Sequence, residues 1–208
     1  MQNSRAYIDF MKQTKAVGRE KMEGYNPSTL EKIYDWEREE IEDTIWNYFV
    51  NKNDSDLAIF MPKLKKYNGM EALEDKLNIF NVPSRANVNV AEALYITTGQ
   101  KKYLDLLIEN YNKSENKTPI VARAMYLAKN NDVYSWLMDI YVNDTDDKNQ
   151  ICALSGILWR DGFIKNINDM QEFSKKIQFL RMFKSDNREK RREILNEYKN
   201  GAFESYKM

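Results

Sequence analysis

The 208-residue chain contains no histidine, and this absence removes several classes of site. Without imidazole the chain cannot build a Ser-His-Asp or Cys-His catalytic site, or a metal site that requires histidine ligands. Carboxylates, lysine, tyrosine and serine remain, so chemistry based on carboxylates stays open. No spacing of these residues points to a catalytic pair, so we expect no enzymatic activity, no metal and no cofactor.

Cysteine, glycine and proline are scarce as well. Cys152 is the only cysteine, so an intramolecular disulfide is impossible and a reducing, cytoplasmic location is expected. Seven glycines and four prolines are too few for a turn-rich β-sandwich, whereas the abundant Ala, Leu, Glu, Lys and Met favour helix. No secretory signal is recognisable, and no apolar run approaches the roughly 18–20 residues that span a bilayer. We therefore predict an all-α protein that does not enter a membrane.

An excess of charge of one sign is also missing, since 32 Lys and Arg residues balance 32 Asp and Glu residues. No global field favours nucleic acid or a membrane surface. Hydrophobic residues make up 42% of the chain, which suffices for a core. We expect a single helical domain over residues 1–208.

The clearest feature that is present is a repeat of about thirty residues. The segment Asn89–Tyr111 returns as Pro119–Tyr141, and each copy combines a small-residue helix, a polar turn and a bulkier helix. Weaker copies lie at Leu57–Phe80 and in residues 151–164. About three and a half helical hairpins are therefore predicted between residues 57 and 164, with each hairpin covering the apolar face of its neighbour.

The repeat resembles the HEAT-like family of α-solenoids. The resemblance covers about half of the chain and rests on three small-residue clusters, Ala91/Ala93/Leu94, Ala122/Ala124/Met125 and Cys152/Ala153/Leu154. It implies a short right-handed stack of antiparallel helical hairpins with a broad surface for a macromolecular partner. The Asp and Arg of typical HEAT turns do not recur here, and Pro62 interrupts the first hairpin. An irregular helical bundle is the alternative.

The flanking segments complete the predicted organisation. Residues 1–27 read as an N-terminal arm or docking helix. One long helix, capped by Ser28 with Glu31 in a capping box, precedes the hairpins within residues 28–164. Residues 165–208 are predicted to form polar capping helices, the last of which has an apolar side of Ile194, Leu195 and Tyr198.

An acidic segment is the first candidate site. From Ser28 to Asp56, nine acidic residues stand against three basic ones, a net charge of −6. Such a surface suits a basic protein partner, and a solvated outer helix face is the alternative interpretation. The predicted contact residues are Glu37, Glu39, Glu40, Glu42 and Asp43. Trp159 and Arg160 are added as an anchor pair typical of interfaces.

A basic segment is the second candidate. From Lys175 to Lys199, nine basic residues stand against four acidic ones, a net charge of +5. Contacts to a nucleic-acid backbone are predicted for Arg188, Lys190, Arg191 and Arg192. The alternative is a solvated helix whose charges pair along its own surface.

Two further motifs carry less. Residues 143–150 do not match a calcium-binding EF-hand, because the sixth position counted from Asp144 is Asn149 and not glycine. Cys152 lies in an apolar helical stretch without a histidine to activate it, which indicates a core residue.

These observations predict a non-enzymatic protein-binding module. Small cytoplasmic helical-repeat proteins of this kind resemble bacterial immunity proteins, which neutralise a partner by covering its surface. The alternative is a helical repeat protein that binds nucleic-acid backbones through its C-terminal helix.

Overall fold

The computed structural model describes residues 2–22 and 24–207, and within these residues it contains helices and turns but no β-strand. The all-α prediction is confirmed. The α-helices, in chain order, are α1 (Arg5–Thr14), α2 (Gly18–Met22), α3 (Thr29–Lys32), α4 (Arg38–Trp46), α5 (Gly69–Leu77), α6 (Arg85–Thr98), α7 (Lys101–Lys113), α8 (Thr118–Tyr126), α9 (Asn131–Asn143), α10 (Asp147–Arg160), α11 (Met170–Lys175), α12 (Ile177–Arg181) and α13 (Arg188–Lys199). Tighter 3₁₀ turns occupy Asp35–Glu37, Ser55–Lys63 and Glu204–Tyr206, and a π-helical turn occupies Asn47–Asn51.

The chain divides into two compact units, Met1–Ser114 and Glu115–Met208. The first unit holds α1 to α7 and the second holds α8 to α13. The single domain, and a continuous stack of hairpins through residues 28–164, stay predictions.

The predicted long helix from Ser28 is wrong, because the chain leaves the helix after Lys32. Ile33 has an extended backbone (φ −80°, ψ 159°), and a 3₁₀ turn follows before α4 begins. Ser28 does precede α3, but its side chain makes no capping bond. Its N–H and hydroxyl instead donate to the Asn26 side-chain oxygen, at 3.0 and 2.8 Å. This local turn competes with the predicted capping box.

The buried carboxylate of Glu37 accounts for the break. Glu37 is 1% exposed, and its oxygens accept hydrogen bonds from the Tyr34 N–H at 2.8 Å and from the N–H and hydroxyl of Ser4, both at 2.6 Å. A buried carboxylate requires such donors. The interruption frees the Tyr34 N–H from the helical ladder, and Ser4 also caps α1. One side chain therefore ties the start of α1 to the turn before α4.

The first predicted hairpin, Leu57–Phe80, is helical but irregular. Its first arm is the 3₁₀ helix Ser55–Lys63, which contains Pro62, a residue without an N–H to donate. Its second arm, α5, begins at Gly69, where an added Cβ would lie 1.9 Å from the carbonyl oxygen of Met61. The two backbones are in direct contact there, so only glycine fits.

The hairpin of α6 and α7 forms where the repeat predicts it. Gly99 ends α6 in the left-handed region (φ 66°), and its N–H donates to the Tyr95 carbonyl at 2.8 Å. The fully buried Asn110 of α7 donates to the Asn87 side-chain oxygen of α6 at 2.8 Å and accepts from the Ser84 N–H at 3.1 Å. These bonds fix the register of the two helices, because each buried amide is satisfied only in this alignment.

The second unit begins with α8, α9 and α10, also at the predicted positions. Helix α10 packs on both preceding helices. A Cβ at Gly156 of α10 would lie 3.1 Å from the Met125 Cα of α8 and 2.9 Å from a Leu137 methyl of α9. The absence of a side chain at Gly156 therefore lets α10 approach both helices closely.

The C-terminal helix α13 lies on α9 with the predicted apolar side buried, Ile194, Leu195 and Tyr198. The Tyr198 hydroxyl donates to Asp161 at 2.6 Å, and the Tyr134 hydroxyl donates to the same carboxylate oxygen at 2.6 Å. Burial and this shared carboxylate raise the pKa of both tyrosines, so both stay protonated. Asp161 thus joins the end of α10 to α9 and α13.

Candidate protein-binding site

Side chains of the acidic segment line an open depression in the first unit, which we call the acidic concavity. It encloses about 570 Å³. Its lining residues recur every three or four positions, which places them on one face of the helical stretch that includes α4. They are Trp36, Glu39, Glu40, Asp43, Thr44, Asn47 and Tyr48.

Lys66 neutralises part of this face. Its ammonium group lies 3.0 Å from a Glu39 oxygen and 2.7 Å from an Asp43 oxygen, and the Tyr67 hydroxyl donates to Asp43 at 2.7 Å. The hydrogen bonds from Lys66 and Tyr67 lower the pKa of Asp43, and those to Asp43 and Glu39 raise the pKa of Lys66. The charges of Asp43 and Lys66 therefore persist at neutral pH.

Glu40 is the carboxylate of the concavity that has no ion pair with a lysine or arginine among the described residues. Glu40 affects Tyr7 of α1. Burial raises the pKa of the Tyr7 phenol, and a hydrogen bond to Glu40 and the negative charge of Glu40 raise it further. The carboxylate is exposed to solvent. A cation from a partner would therefore meet a carboxylate that no lysine or arginine within residues 2–22 and 24–207 neutralises by an ion pair.

An aromatic surface borders the carboxylates. The Trp36 side chain is 51% exposed and stacks on Tyr34, with ring centroids 6.1 Å apart and an interplanar angle of 25°. The Tyr48 ring is already covered by the Lys52 ammonium group at 3.6 Å. Trp36 therefore offers the open aromatic face, and the indole ring is the best of the aromatic side chains for stacking a guanidinium or ammonium group.

Two of the five predicted acidic contacts are corrected, because the structure buries them. Glu37 holds Ser4 and Tyr34, as described above. Glu42 is 2% exposed, and its oxygens accept from the Arg38 guanidinium at 2.7 Å and from the Lys65 and Lys66 N–H groups at 3.0 and 2.8 Å. Neither can touch a partner, although Glu42 positions Lys66 beside the concavity. The face reduces to Glu39, Glu40 and Asp43, and it gains Trp36, which the search for acidic residues passed over.

The predicted pair Trp159 and Arg160 lies in the second unit and is engaged there. The Arg160 guanidinium stacks 3.9 Å from the Tyr134 ring centroid and donates to the Asn131 side chain at 2.6 Å. The half-buried Trp159 ring lies 4.9 Å from the Lys129 ammonium group. These contacts hold the loop before α9 against the end of α10, so the pair has a structural role in addition to any contact with a partner.

The predicted nucleic-acid contacts on α13 are also reduced, since Arg191 is buried. Its guanidinium donates to the carbonyl oxygens of Val142 at 2.9 Å, Asp144 at 3.2 Å and Ser185 at 2.7 Å. Arg188, Lys190 and Arg192 are exposed. Lys190 pairs with Glu193 and Arg192 with Glu189 on the same helix, at 3.1 and 2.7 Å. This pairing corresponds to the alternative interpretation of the sequence, a solvated helix whose charges pair along its own surface.

Metal and thiol chemistry find no site in the part of the chain that the structure describes. No group of three or more Cys, Asp or Glu side chains there is arranged to hold a metal ion. Cys152 is half-buried, and burial raises the pKa of its thiol, which disfavours the reactive thiolate.

Among residues 2–22 and 24–207, no helix combines the length and the apolar composition that crossing a bilayer requires. Comparisons of the chain with protein-family models, with curated proteins and with solved structures found no match.

Proposed function

We propose that this protein is a non-enzymatic binding module that holds a basic protein partner at the acidic concavity. The observation that carries the proposal is the meeting of an uncompensated carboxylate, Glu40, with an exposed indole, Trp36, in one open depression. A basic side chain, arginine in particular, fits both groups, because a guanidinium pairs with a carboxylate and stacks on an aromatic face.

The charge of the surroundings supports the same partner. Two ammonium groups, of Lys66 and Lys52, stand against the three carboxylates of the concavity, which leaves one negative charge. The wider segment from Ser28 to Asp56 carries −6. A field of this sign accelerates the approach of a basic surface at low ionic strength and is screened beyond roughly 10 Å at 0.1 M salt.

The arrangement of the hairpins and the way in which the protein acts on its partner are also part of this proposal. We infer that the hairpins stack as a HEAT-like solenoid in the cytoplasm and that the protein acts like a bacterial immunity protein, which inactivates its partner by covering it. The repeat of about thirty residues and the helix positions between residues 57 and 164 support the stacking. Charge complementarity supports occlusion of a basic partner.

An arginine-rich peptide tests the concavity directly. Binding of nona-arginine, followed by fluorescence anisotropy at low salt, is expected to weaken about ten-fold or more in a Glu39→Lys/Glu40→Lys variant. The double variant Glu193→Lys/Glu197→Lys is the matched control, because it changes the net charge equally on exposed sites of α13. Trp36→Ala is expected to reduce the preference for nona-arginine over nona-lysine.

Two results would contradict the proposal. One is equal weakening by both double variants, which would reduce the effect to net charge. The other is a native partner that is retained at low salt by the Glu39→Lys/Glu40→Lys variant. Affinity capture of this partner from the native cytosol, with wild type and both double variants in parallel, provides the second measurement.

A further inference from the structure

A second depression, in the second unit, is lined by apolar side chains, and we call it the apolar groove. It encloses about 350 Å³, within the range of small-molecule sites. Tyr141, Leu154 and Phe183 form a buried floor. Ile151, Met170 and Ile177 stand at its edge with 59%, 76% and 45% of their surface exposed. Three large exposed apolar residues at one groove are typical of an interaction surface.

The uncharged polar side chains that line the groove already donate hydrogen bonds within the protein. Each donates to a backbone carbonyl, in the pairs Tyr141 to Phe183 (2.6 Å), Gln150 to Asp144 (2.9 Å), Ser155 to Ile151 (2.8 Å) and Ser174 to Met170 (3.0 Å). Burial raises the pKa of Tyr141 to about 12, so its hydroxyl keeps the proton that it donates. These donors therefore need no polar group from a ligand along the length of the groove.

The charges of the groove differ in their availability. Lys184 and Asp147 neutralise each other across it at 3.3 Å. Arg181, the remaining charged residue of the lining, is exposed and makes no ion pair with any described residue. The groove thus combines an apolar length with one free guanidinium group at its side.

We propose that the apolar groove binds a free single-chain amphiphile with an anionic head, of the chemical class of a medium-chain carboxylate. The alkyl chain lies on Leu154, Ile151 and Ile177, and the head accepts hydrogen bonds from Arg181. A polar ligand would leave its own groups without partners along a lining whose donors are occupied. An uncharged chain would leave the guanidinium unused.

A chain-length series is the first test. Isothermal titration calorimetry with octanoate, decanoate and dodecanoate, each below its micelle concentration, is expected to show tightening of about four- to sixteen-fold for every two methylenes added. An affinity that does not depend on chain length overturns the proposal.

Variants at exposed positions form the second test. Arg181→Gln is expected to weaken decanoate binding about ten-fold and to leave octanol binding unchanged, because only the charged head meets the guanidinium. Arg188→Gln, an exposed arginine of α13 outside the groove, is the matched control. Ile177→Glu is expected to abolish binding. Ile96→Glu, at a site on α6 that is 52% exposed against 45% for Ile177, is expected to keep it.

The remaining outcomes separate other occupants of the groove. The protein could sediment with phosphatidylcholine and phosphatidylglycerol vesicles and yet not bind monomeric decanoate. This result would show that the groove binds a lipid surface, and it would overturn the proposal of a free ligand. A dimer in analytical ultracentrifugation that Ile177→Glu dissociates would assign it to a second copy of the chain and overturn the proposal as well. The proposal is supported if the protein is monomeric and Arg181→Gln weakens the binding of decanoate but not of octanol.

Discussion

Glu37 and Glu40 are three residues apart in the chain and have opposite surroundings. Glu37 is enclosed and accepts three hydrogen bonds, whereas Glu40 faces solvent and forms no ion pair with the lysines and arginines that the structure describes. The number of donors within reach, and not the residue type, decides which of the two is structural and which is available for binding. Charge counted along the sequence cannot make this distinction, because the donors of Glu37 come from Ser4 and Tyr34.

The first prediction at this scale is a pH dependence carried by Glu37. Burial pushes the pKa of this carboxyl upward, but the hydrogen bonds from Ser4 and Tyr34 outweigh it and lower the pKa. A lowered folded-state pKa stabilises the protein above the ordinary carboxyl pKa of about 4.3, and this contribution is lost as the pH falls through the folded-state value. Glu37→Gln is therefore expected to lower stability at pH 7 and to flatten its decline in acid.

Urea unfolding between neutral and acidic pH measures this effect. If wild type and Glu37→Gln lose stability in parallel over the whole acidic range, the buried carboxylate does not anchor α1 to the turn at Tyr34.

The second prediction concerns Gly69. Gly69→Ala places a methyl group on the Met61 carbonyl, and neither group can rotate away, because the backbone fixes the position of Cβ and the carbonyl is part of the backbone. We expect a loss of about 3 kcal/mol in the free energy of unfolding, at the upper end of overpacking effects. Asp75→Ala, at an exposed site of the same helix, is expected to stay within about 0.5 kcal/mol. Equal effects of the two substitutions in denaturant unfolding would refute the close approach.

At the scale of elements, the hairpin helices were predictable and the helix break was not. The positions of α6 to α10 follow from apolar residues at helical spacing and from turn residues such as Gly99, which are local signals. The break after Lys32 depends on Ser4, whose contact with Glu37 spans 33 residues. A stretch with helical periodicity gives no sign of such a distant donor.

The same limit applies to α13. Its apolar side was predictable from Ile194, Leu195 and Tyr198, but the role of Arg191 was not. Arginine on a polar helix resembles its neighbours in the sequence, and only the end of α9 at Val142 reveals that this one is enclosed.

The third prediction compares two adjacent arginines of α13. Arg191→Ala removes a guanidinium that satisfies carbonyls at the end of α9, and buried acceptors without donors are costly. We expect a loss of about 3 kcal/mol in the free energy of unfolding. Arg192→Ala, which breaks an exposed pair with Glu189, is expected to cost less than about 1 kcal/mol. Similar values for both in urea unfolding would show that Arg191 is not a helix cap.

At the scale of the whole molecule, charge is distributed unevenly between the two units. Equal numbers of positive and negative residues conceal an acidic segment in the first unit and a basic one in the second. The sequence predicted both segments. It did not predict the apolar groove, because the groove residues come from α9, α10, α11, α12 and the segment that follows α12, and only the fold brings them together.

The fourth prediction follows from the division into two units. The loop of residues 114–117 joins α7 to α8 at the boundary, and residues 115 and 116 are exposed. Limited trypsin digestion is therefore expected to cut first after Lys113 or Lys117, since exposed loops are the preferred sites of nicking. Mass spectrometry of the first fragments checks this. Early cleavage inside α5, after Lys76, or inside α8, after Arg123, would contradict the compactness of the units.

The bonds of Arg191 also bear on the order in which the protein can be completed during synthesis. The donor for the carbonyl of Val142 is Arg191, which is synthesised 49 residues later. A nascent chain that ends before α13 must therefore leave the last turn of α9 open to water, and this turn is expected to fray until translation of the helix that closes it.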